Sequence, residues 1–245
     1  MRKSLLIIAV ALMVFSNSAF CATSNDILNQ VKSAETGLAD FTANMDITRA
    51  NKNNVAAMGS GYDEILRLQK AIISYKRPDL IRYDGFAQGI KASLVQNGYK
   101  RLVLAAMIRK LDNLKDAPGK RQDTLDLGFL SSSLWRDNSV TVVSNGKKAL
   151  KLKFNPKFGG RDKRHDDVWV DPMTLKMLKR EKFLGDGQMR VRMTYGSYQN
   201  LTGKLSIATT STLYDPSGGM LGSVKYKNLK VNSGVRDSIF SMAQR

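Results

Sequence analysis

Apolar residues recur every three or four positions over Ile27, Leu28, Val31, Ala34 and Leu38, which predicts an amphipathic helix. Ser24-Asn25-Asp26 supplies side chains that cap a helix start, and Gly37 weakens the far end. At residue 41 the period drops to two. Phe41, Ala43, Met45 and Ile47 alternate with Thr42, Asn44, Asp46 and Thr48, the pattern of a half-buried strand. Residues 50–60 read as a loop, and a second strand is predicted over 62–76. Pro78 ends it, because proline cannot donate to a ladder. A third strand covers Leu80 to Asp84. Asn97-Gly98 is a tight-turn dipeptide, so Ala92–Val95 and Tyr99–Met107 form a hairpin. Residues 109–123, with Pro118-Gly119, are expected to break the sheet.

Leu125 to Trp135 does not alternate. Leu127, Leu130 and Leu134 have helical spacing, so one or two short apolar helices are expected there. They serve either as core or as a mobile lid. Strands and turns follow almost to the end: 139–143, 149–154, 166–170, 175–183, 188–195, 205–210, 212–214 and 224–231. Their turns are Asn145-Gly146, Asp171-Pro172, Gly185-Asp186-Gly187 and Asp215-Pro216-Ser217-Gly218-Gly219. Short strands at regular spacing suggest one antiparallel barrel or sandwich. No linker divides the chain.

The first residues read as an address. Arg2 and Lys3 precede an unbroken apolar run from Leu5 to Phe15, followed by Ser16 to Ala22. This is a secretory signal, with residues 1–21 removed and 22–245 forming one mature domain. The run falls short of the roughly 20 residues of a transmembrane helix. Cys21 has two readings: it leaves with the signal, or it carries the lipid of a bacterial lipoprotein. The expected location is the periplasm.

Composition narrows the chemistry. The 245 residues carry 39 Lys and Arg, 21 Asp and Glu, one His and one Cys, for a net charge of +18. One cysteine excludes a disulfide scaffold and a multi-cysteine metal site. The positive charge attracts anions, but export and the scatter of the charges argue against nucleic acid. The densest stretch, Lys147 to Arg192, holds fourteen Lys and Arg against six Asp and Glu. It is either a set of solvated strand faces or a face that meets an anionic membrane surface or an acidic partner. His165 lies among charged residues and reads as a surface residue rather than a catalyst. Asp166-Asp167 could bind a cation, but consecutive strand residues point to opposite faces. No phosphate-binding glycine loop and no G-x-S-x-G elbow is present in the sequence. No metal and no cofactor is called for. Eleven methionines suit either core filling or an adaptable apolar surface.

Tyr75-Lys76-Arg77-Pro78-Asp79-Leu80-Ile81-Arg82-Tyr83 resembles the periplasmic outer-membrane lipoprotein carrier family, the LolA-like proteins. Further features agree in order. An amphipathic helix precedes Phe41–Arg49, and a turn motif matches Val95 to Lys100. A hydrophobic helical stretch matches Leu125–Trp135, followed by Val168-Trp169-Val170-Asp171-Pro172. The closing "n-x-x-x-x-d-s-x-F" pattern matches Asn232 to Phe240. The resemblance covers essentially the whole mature chain.

It implies a mainly β fold: an incomplete, half-closed antiparallel β-barrel, with an N-terminal helix and short lid helices over an apolar cavity. It implies a carrier that takes lipoproteins from an inner-membrane lipoprotein-releasing transporter and hands them to an outer-membrane receptor. Arg77 matches the family's arginine that bonds lid backbone and holds the empty cavity closed. Met45, Ile47, Ile73, Ile81, Leu127, Leu130 and Leu134 are the expected cavity residues for acyl chains. The family has an aromatic four residues after the arginine, where this chain has Ile81. The stretch from Gly85 to Asp123 is also longer and more basic than the family's, which points to a relative specialised for another lipid or glycolipid. The chain is expected to act as a monomer and not as an enzyme. The alternatives are a periplasmic lipid-sensing regulator on the same half-barrel and an envelope lipid or polysaccharide enzyme.

Overall fold

The computed structural model describes residues 23–49, 65–115, 121, 125–157 and 164–243. The predicted signal segment and the predicted loop at 50–60 lie outside these residues. Helix α1 (Ser24–Glu35) opens the described chain. Its cap is Thr23, one residue before the expected cluster. Thr23 Oγ1 accepts from the Asp26 N–H, and the Asp26 carboxylate accepts from the Thr23 N–H. This capping box satisfies two donors that the first turn leaves over. Ile27, Val31 and Ala34 form the buried face.

Thirteen strands follow: β1 Asp40–Arg49, β2 Lys70–Lys76, β3 Leu80–Ala87, β4 Ile90–Asn97, β5 Lys100–Ala105, β6 Ile108–Asn113, β7 Asn138–Asn145, β8 Leu150–Pro156, β9 His165–Val170, β10 Met177–Phe183, β11 Met189–Asn200, β12 Ser206–Tyr214 and β13 Met220–Val231. They form one antiparallel sheet in the order β6-β5-β4-β3-β2-β1-β13-β12-β11-β10-β9-β8-β7. Each half of the chain is a meander of hairpins. The halves join where β1 pairs with β13, with Phe41 opposite Val231 and Ile47 opposite Val224. β6 and β7 are the unpaired margins, so the sheet curls into an incomplete barrel and the sandwich alternative falls away.

Several element boundaries depart from the sequence reading. β2 begins at Lys70. Ile65 and Leu66 lie in a helical turn, and 62–64 lie outside the described residues. The adjacent apolar pair Ile65-Leu66 already violates strand alternation. Residues 108–113 do not break the sheet but form β6. Both faces of this margin strand meet solvent, so it carries Arg109, Lys110 and Asp112 and lacks a period. Such charges also keep an open edge from pairing with other chains. The two short strands predicted at 205–210 and 212–214 are one, β12.

The 125–135 stretch is mostly irregular. It ends in a single helical turn, α2 (Ser133–Asp137). Gly128 explains the change, since it sits at φ +77°, outside helical space. Its carbonyl accepts from the Ala208 N–H of β12 at 2.9 Å. This stretch lies over the concave face of the sheet, and Leu127, Phe129, Leu130, Leu134 and Trp135 are all buried.

The chain end crosses the other face. Val95 and Leu102 pack with Phe240, which sits in the 3₁₀ turn Asp237–Phe240. Asn232 accepts from the Ala39 N–H and donates to the Gly37 carbonyl. The Asp40 carboxylate accepts from the N–H groups of Ser233 and Val235. The closing sequence pattern therefore ties the C-terminal segment to the start of β1.

Candidate functional site

Two apolar clusters fill the concavity. Met45, Ile73, Ile81 and Leu127 belong to the first, around Phe41, Tyr75 and Phe129, and Ile47 packs at its margin. The Phe129 ring meets Phe41 and Tyr75 edge-on, at centroid distances of 6.2 and 5.7 Å. Leu130 and Leu134 belong to the second cluster, with Ile27 and Val31 of α1 and Leu150, Leu152 and Val168 of the sheet. The expected cavity residues are thus divided between two ends of one concave surface. Ile47 also borders a groove of about 820 Å³ with Arg67, Lys70 and Phe86. The space beneath the 125–137 segment is nearly closed. A cavity of about 30 Å³ remains among Met45, Leu66, Tyr83, Met193, Leu213, Val224 and Tyr226.

Polar groups hold the covering segment down at several points. In its middle, the Glu35 carboxylate accepts from the Ser132 N–H and the Ser132 hydroxyl. Trp135 Nε1 donates to Ser24 Oγ at 3.1 Å, which joins α2 to the first turn of α1. Arg77 Nη1 donates to the carbonyls of Glu35 at 2.8 Å and Leu38 at 3.4 Å. Its Nη2 lies 3.8 Å from the Glu35 carboxylate. The side chain of Arg77 therefore binds at the C-terminal end of α1, and Glu35 relays the contact to Ser132. The Glu35 carbonyl also accepts from the Leu38 N–H at 3.0 Å, so Arg77 is its second donor. Thr202 and Asn232 donate to two neighbouring carbonyls, those of Ala34 and Gly37.

Toward α2, Arg121 is fully buried and pairs with both Asp79 and Asp137. Its Nε donates to the Gly98 carbonyl at 3.0 Å. Arg136 also reaches Asp79, at 2.6 Å, and the Tyr99 hydroxyl donates to Asp137 at 2.9 Å. Burial, with the Asp137 carboxylate next in effect, pushes the Tyr99 hydroxyl above its ordinary range. Asp79 lies two residues beyond Arg77, and the Gly98 turn is part of the motif at Val95 to Lys100.

At the other end the interior is ionic. Arg180 and Lys182 are two apart on β10, so both face inward. Asp166 on β9 lies directly opposite Lys182. Arg180 Nε and Lys182 Nζ reach the Asp166 carboxylate at 3.0 and 2.9 Å. Arg180 Nη1 reaches Asp126, at the start of the covering segment, at 3.2 Å. The Tyr195 hydroxyl donates to Asp126 at 2.9 Å. Burial opposes the charged form of Asp166, yet Lys182 and Arg180 outweigh it and pull the carboxyl down to about 2. Burial and Asp126 push the Tyr195 hydroxyl well up. Asp126 and Tyr195 line the 30 Å³ cavity. Asp167 points to the opposite face, where it pairs with Lys151 at 2.6 Å, as strand alternation requires.

Lys151 and Lys179 both stand over the Trp169 ring, and Glu181 pairs with Lys179 and Arg192. The dense basic stretch is therefore partly neutralised by its own neighbours. His165 stacks on Phe183 at 4.5 Å. Among the described residues, no three His, Cys, Asp or Glu side chains gather in a metal-binding group. Among them, no helix is long and apolar enough to cross a membrane.

No protein-family model matches the chain, and no curated protein matches it. Solved structures do share its fold. A LolA superfamily protein from Nitrosomonas europaea superposes with a TM-score of 0.62 at 13% identity, over 90% of this chain and 98% of that one. A domain assigned to outer membrane lipoprotein sorting from Vibrio parahaemolyticus gives 0.56 at 13% identity, over 87% and 95%. A DUF1329 family protein from Desulfovibrio piger gives 0.51 at 12% identity, over 87% and 95%. The chain has the LolA-like fold, an open antiparallel half-barrel with an N-terminal helix.

Proposed function

We propose that this protein carries acyl chains across the periplasm, in the concavity that the 125–137 segment covers. The observation that supports the reading most directly is the construction of that cover. Its apolar side chains fill a concave apolar surface, while its backbone and margins are fastened by polar bonds. An acyl chain in water costs about 0.8 kcal/mol for each exposed methylene, so it needs an apolar container. The container must also let go. A cover with a closed and an open state does both, because cargo shifts the balance by its preference for the open one.

The cargo is a lipoprotein or a related lipid. The donor is an inner-membrane lipoprotein-releasing transporter, and the acceptor is an outer-membrane receptor. The protein acts as an exported monomer, and the transfer needs no covalent step. A native mass spectrum of mature protein purified from the periplasm tests the reading. A bound species with the mass of an acylated lipid or lipopeptide is expected. Protein that arrives empty and takes up no lipid from added micelles would refute it.

A further inference from the structure

We infer that β7 is a docking edge, which takes up one extended polypeptide segment whose side chains alternate between apolar and acidic. The inference is independent of the carrier reading and concerns a partner protein.

The two margins of the sheet are built differently. β6 carries Arg109, Lys110 and Asp112, and charges of this kind keep an edge from pairing. β7 holds no charged residue and no proline. Among the described residues its ladder partner is β8 alone. A bulge at Val143 interrupts the ladder and leaves Asn138–Val142 as the regular run, within the usual strand length of about 3–10 residues. Such an edge presents N–H and C=O groups at strand spacing, and another extended backbone is what matches them.

The two faces of this edge fix the side chains of the occupant. Val140 and Val142 lie opposite Phe154 and Leu152, on the concave face. They and Leu28 of α1 pack against the second apolar cluster but stay half-buried. Apolar residues on that side of an added strand complete their burial. Thr141 lies opposite Lys153 on the convex face. From Asn138 to Lys157 the chain holds Lys147, Lys148, Lys151, Lys153 and Lys157 and no carboxylate. Asp167 of β9 pairs with Lys151. The surplus that remains favours carboxylates on the convex side of the occupant. It also disfavours a second copy of β7, which would set lysines against lysines.

The test uses the mature protein and fluorescein-labelled peptides of about seven residues, the length of a short strand, read by fluorescence anisotropy. A peptide that alternates Val and Glu is expected to bind saturably, and amide exchange at 139–142 should slow as it binds. The same peptide N-methylated throughout keeps its side chains but loses its backbone donors, and should bind at least about tenfold more weakly. A peptide that alternates Val and Lys should fall by a similar factor. Lys153→Gln should weaken the acidic peptide about two- to fivefold, the effect of one exposed ion pair. Absence of saturable binding of the acidic peptide up to about 1 mM overturns the inference. Equal binding of the N-methylated or the basic peptide overturns it too, as does binding that leaves exchange at 139–142 unchanged. A dimer that forms without peptide and protects 139–142 would make the edge an interface between copies, and would also overturn it.

Discussion

The carboxylate of Glu35 accepts both the backbone N–H and the hydroxyl of Ser132, 97 positions further along the chain. Glu35 ends α1, and Ser132 begins the turn of α2. One buried side chain therefore couples the N-terminal helix to the cover of the concavity. Glu35→Ala should cost about 2 kcal/mol, or roughly 4–8 °C in Tm for a domain of this size. Amide exchange at Ser132 should speed up with it. A Tm within a degree of wild type and an unchanged Ser132 amide would refute the coupling.

Arg77 acts one step behind that contact. Its side chain is 36% exposed, so its bonds to the Glu35 and Leu38 carbonyls are partly shared with solvent. Arg77→Leu should cost about 1 kcal/mol, the value of a modest net hydrogen bond. The variant should load lipid and hand it on poorly, because the closed state competes less with cargo. Transfer of fluorescent lipid to acceptor vesicles at the wild-type rate would remove Arg77 from the latch.

Gly128 offers a purely steric probe. It holds φ +77°, and a Cβ there would lie 3.1 Å from the Ala208 Cβ and 3.2 Å from the Ala208 carbonyl oxygen. Gly128→Ala combines left-handed strain with a contact that β12 must relieve, a cost of about 1–3 kcal/mol. The cover should lift more easily, visible as faster proteolysis within 125–137. Protection equal to wild type would mean that this approach to β12 is dispensable.

Acid tests the ionic end of the interior. The Asp166 carboxyl is held at about 2, below its ordinary 3.8. The folded state therefore releases this proton more readily than the unfolded chain. The stabilisation is complete above about pH 4 and drains away as the pH falls toward 2, amounting to about 2 kcal/mol. Urea titrations at several pH values should show the decline, and Asp166→Asn should show less of it. Identical acid slopes for the two proteins would contradict the assignment.

The outer basic face makes a weaker demand. Asp167 and Glu181 already pair with Lys151, Lys179 and Arg192. Binding to vesicles of anionic phospholipid should therefore be modest and should fall steeply with salt, since exposed charges are screened within about 8 Å at physiological ionic strength. Salt-independent binding would point instead to apolar insertion.

Much of this molecule can be read locally. The three-to-four spacing at Ile27–Ala34, the alternation at Phe41–Ile47 and the turn at Asn97-Gly98 each correspond to a real element, because each depends on neighbours in sequence. The departures share one cause. β6 has no buried face to impose a period. The 125–135 stretch has helical spacing only because Leu127, Leu130 and Leu134 meet a surface made elsewhere. The site was least legible. Arg77 is marked by the resemblance, but nothing local in the sequence sets Glu35 apart from other helix carboxylates or Arg180 from the other charges of the basic stretch. Their partners lie 97 and 54 positions away, beyond the reach of any periodic signal. The one sequence cue was the adjacent pair Asp166-Asp167, where alternation places one carboxylate inside.

The two margins of the sheet, β6 and β7, are consecutive in the chain, and the segment that joins them includes the 125–137 stretch laid across the concave face. The cover is thus a strap fixed to both rims of an open vessel. Its slack and the curvature of the vessel are a single quantity. On the carrier reading, cargo that enters lifts the strap away from the concave face, and a strap tied at both rims rises only as far as its length allows. The length of chain between Asn113 and Asn138 then sets an upper limit on the girth of what the vessel can hold.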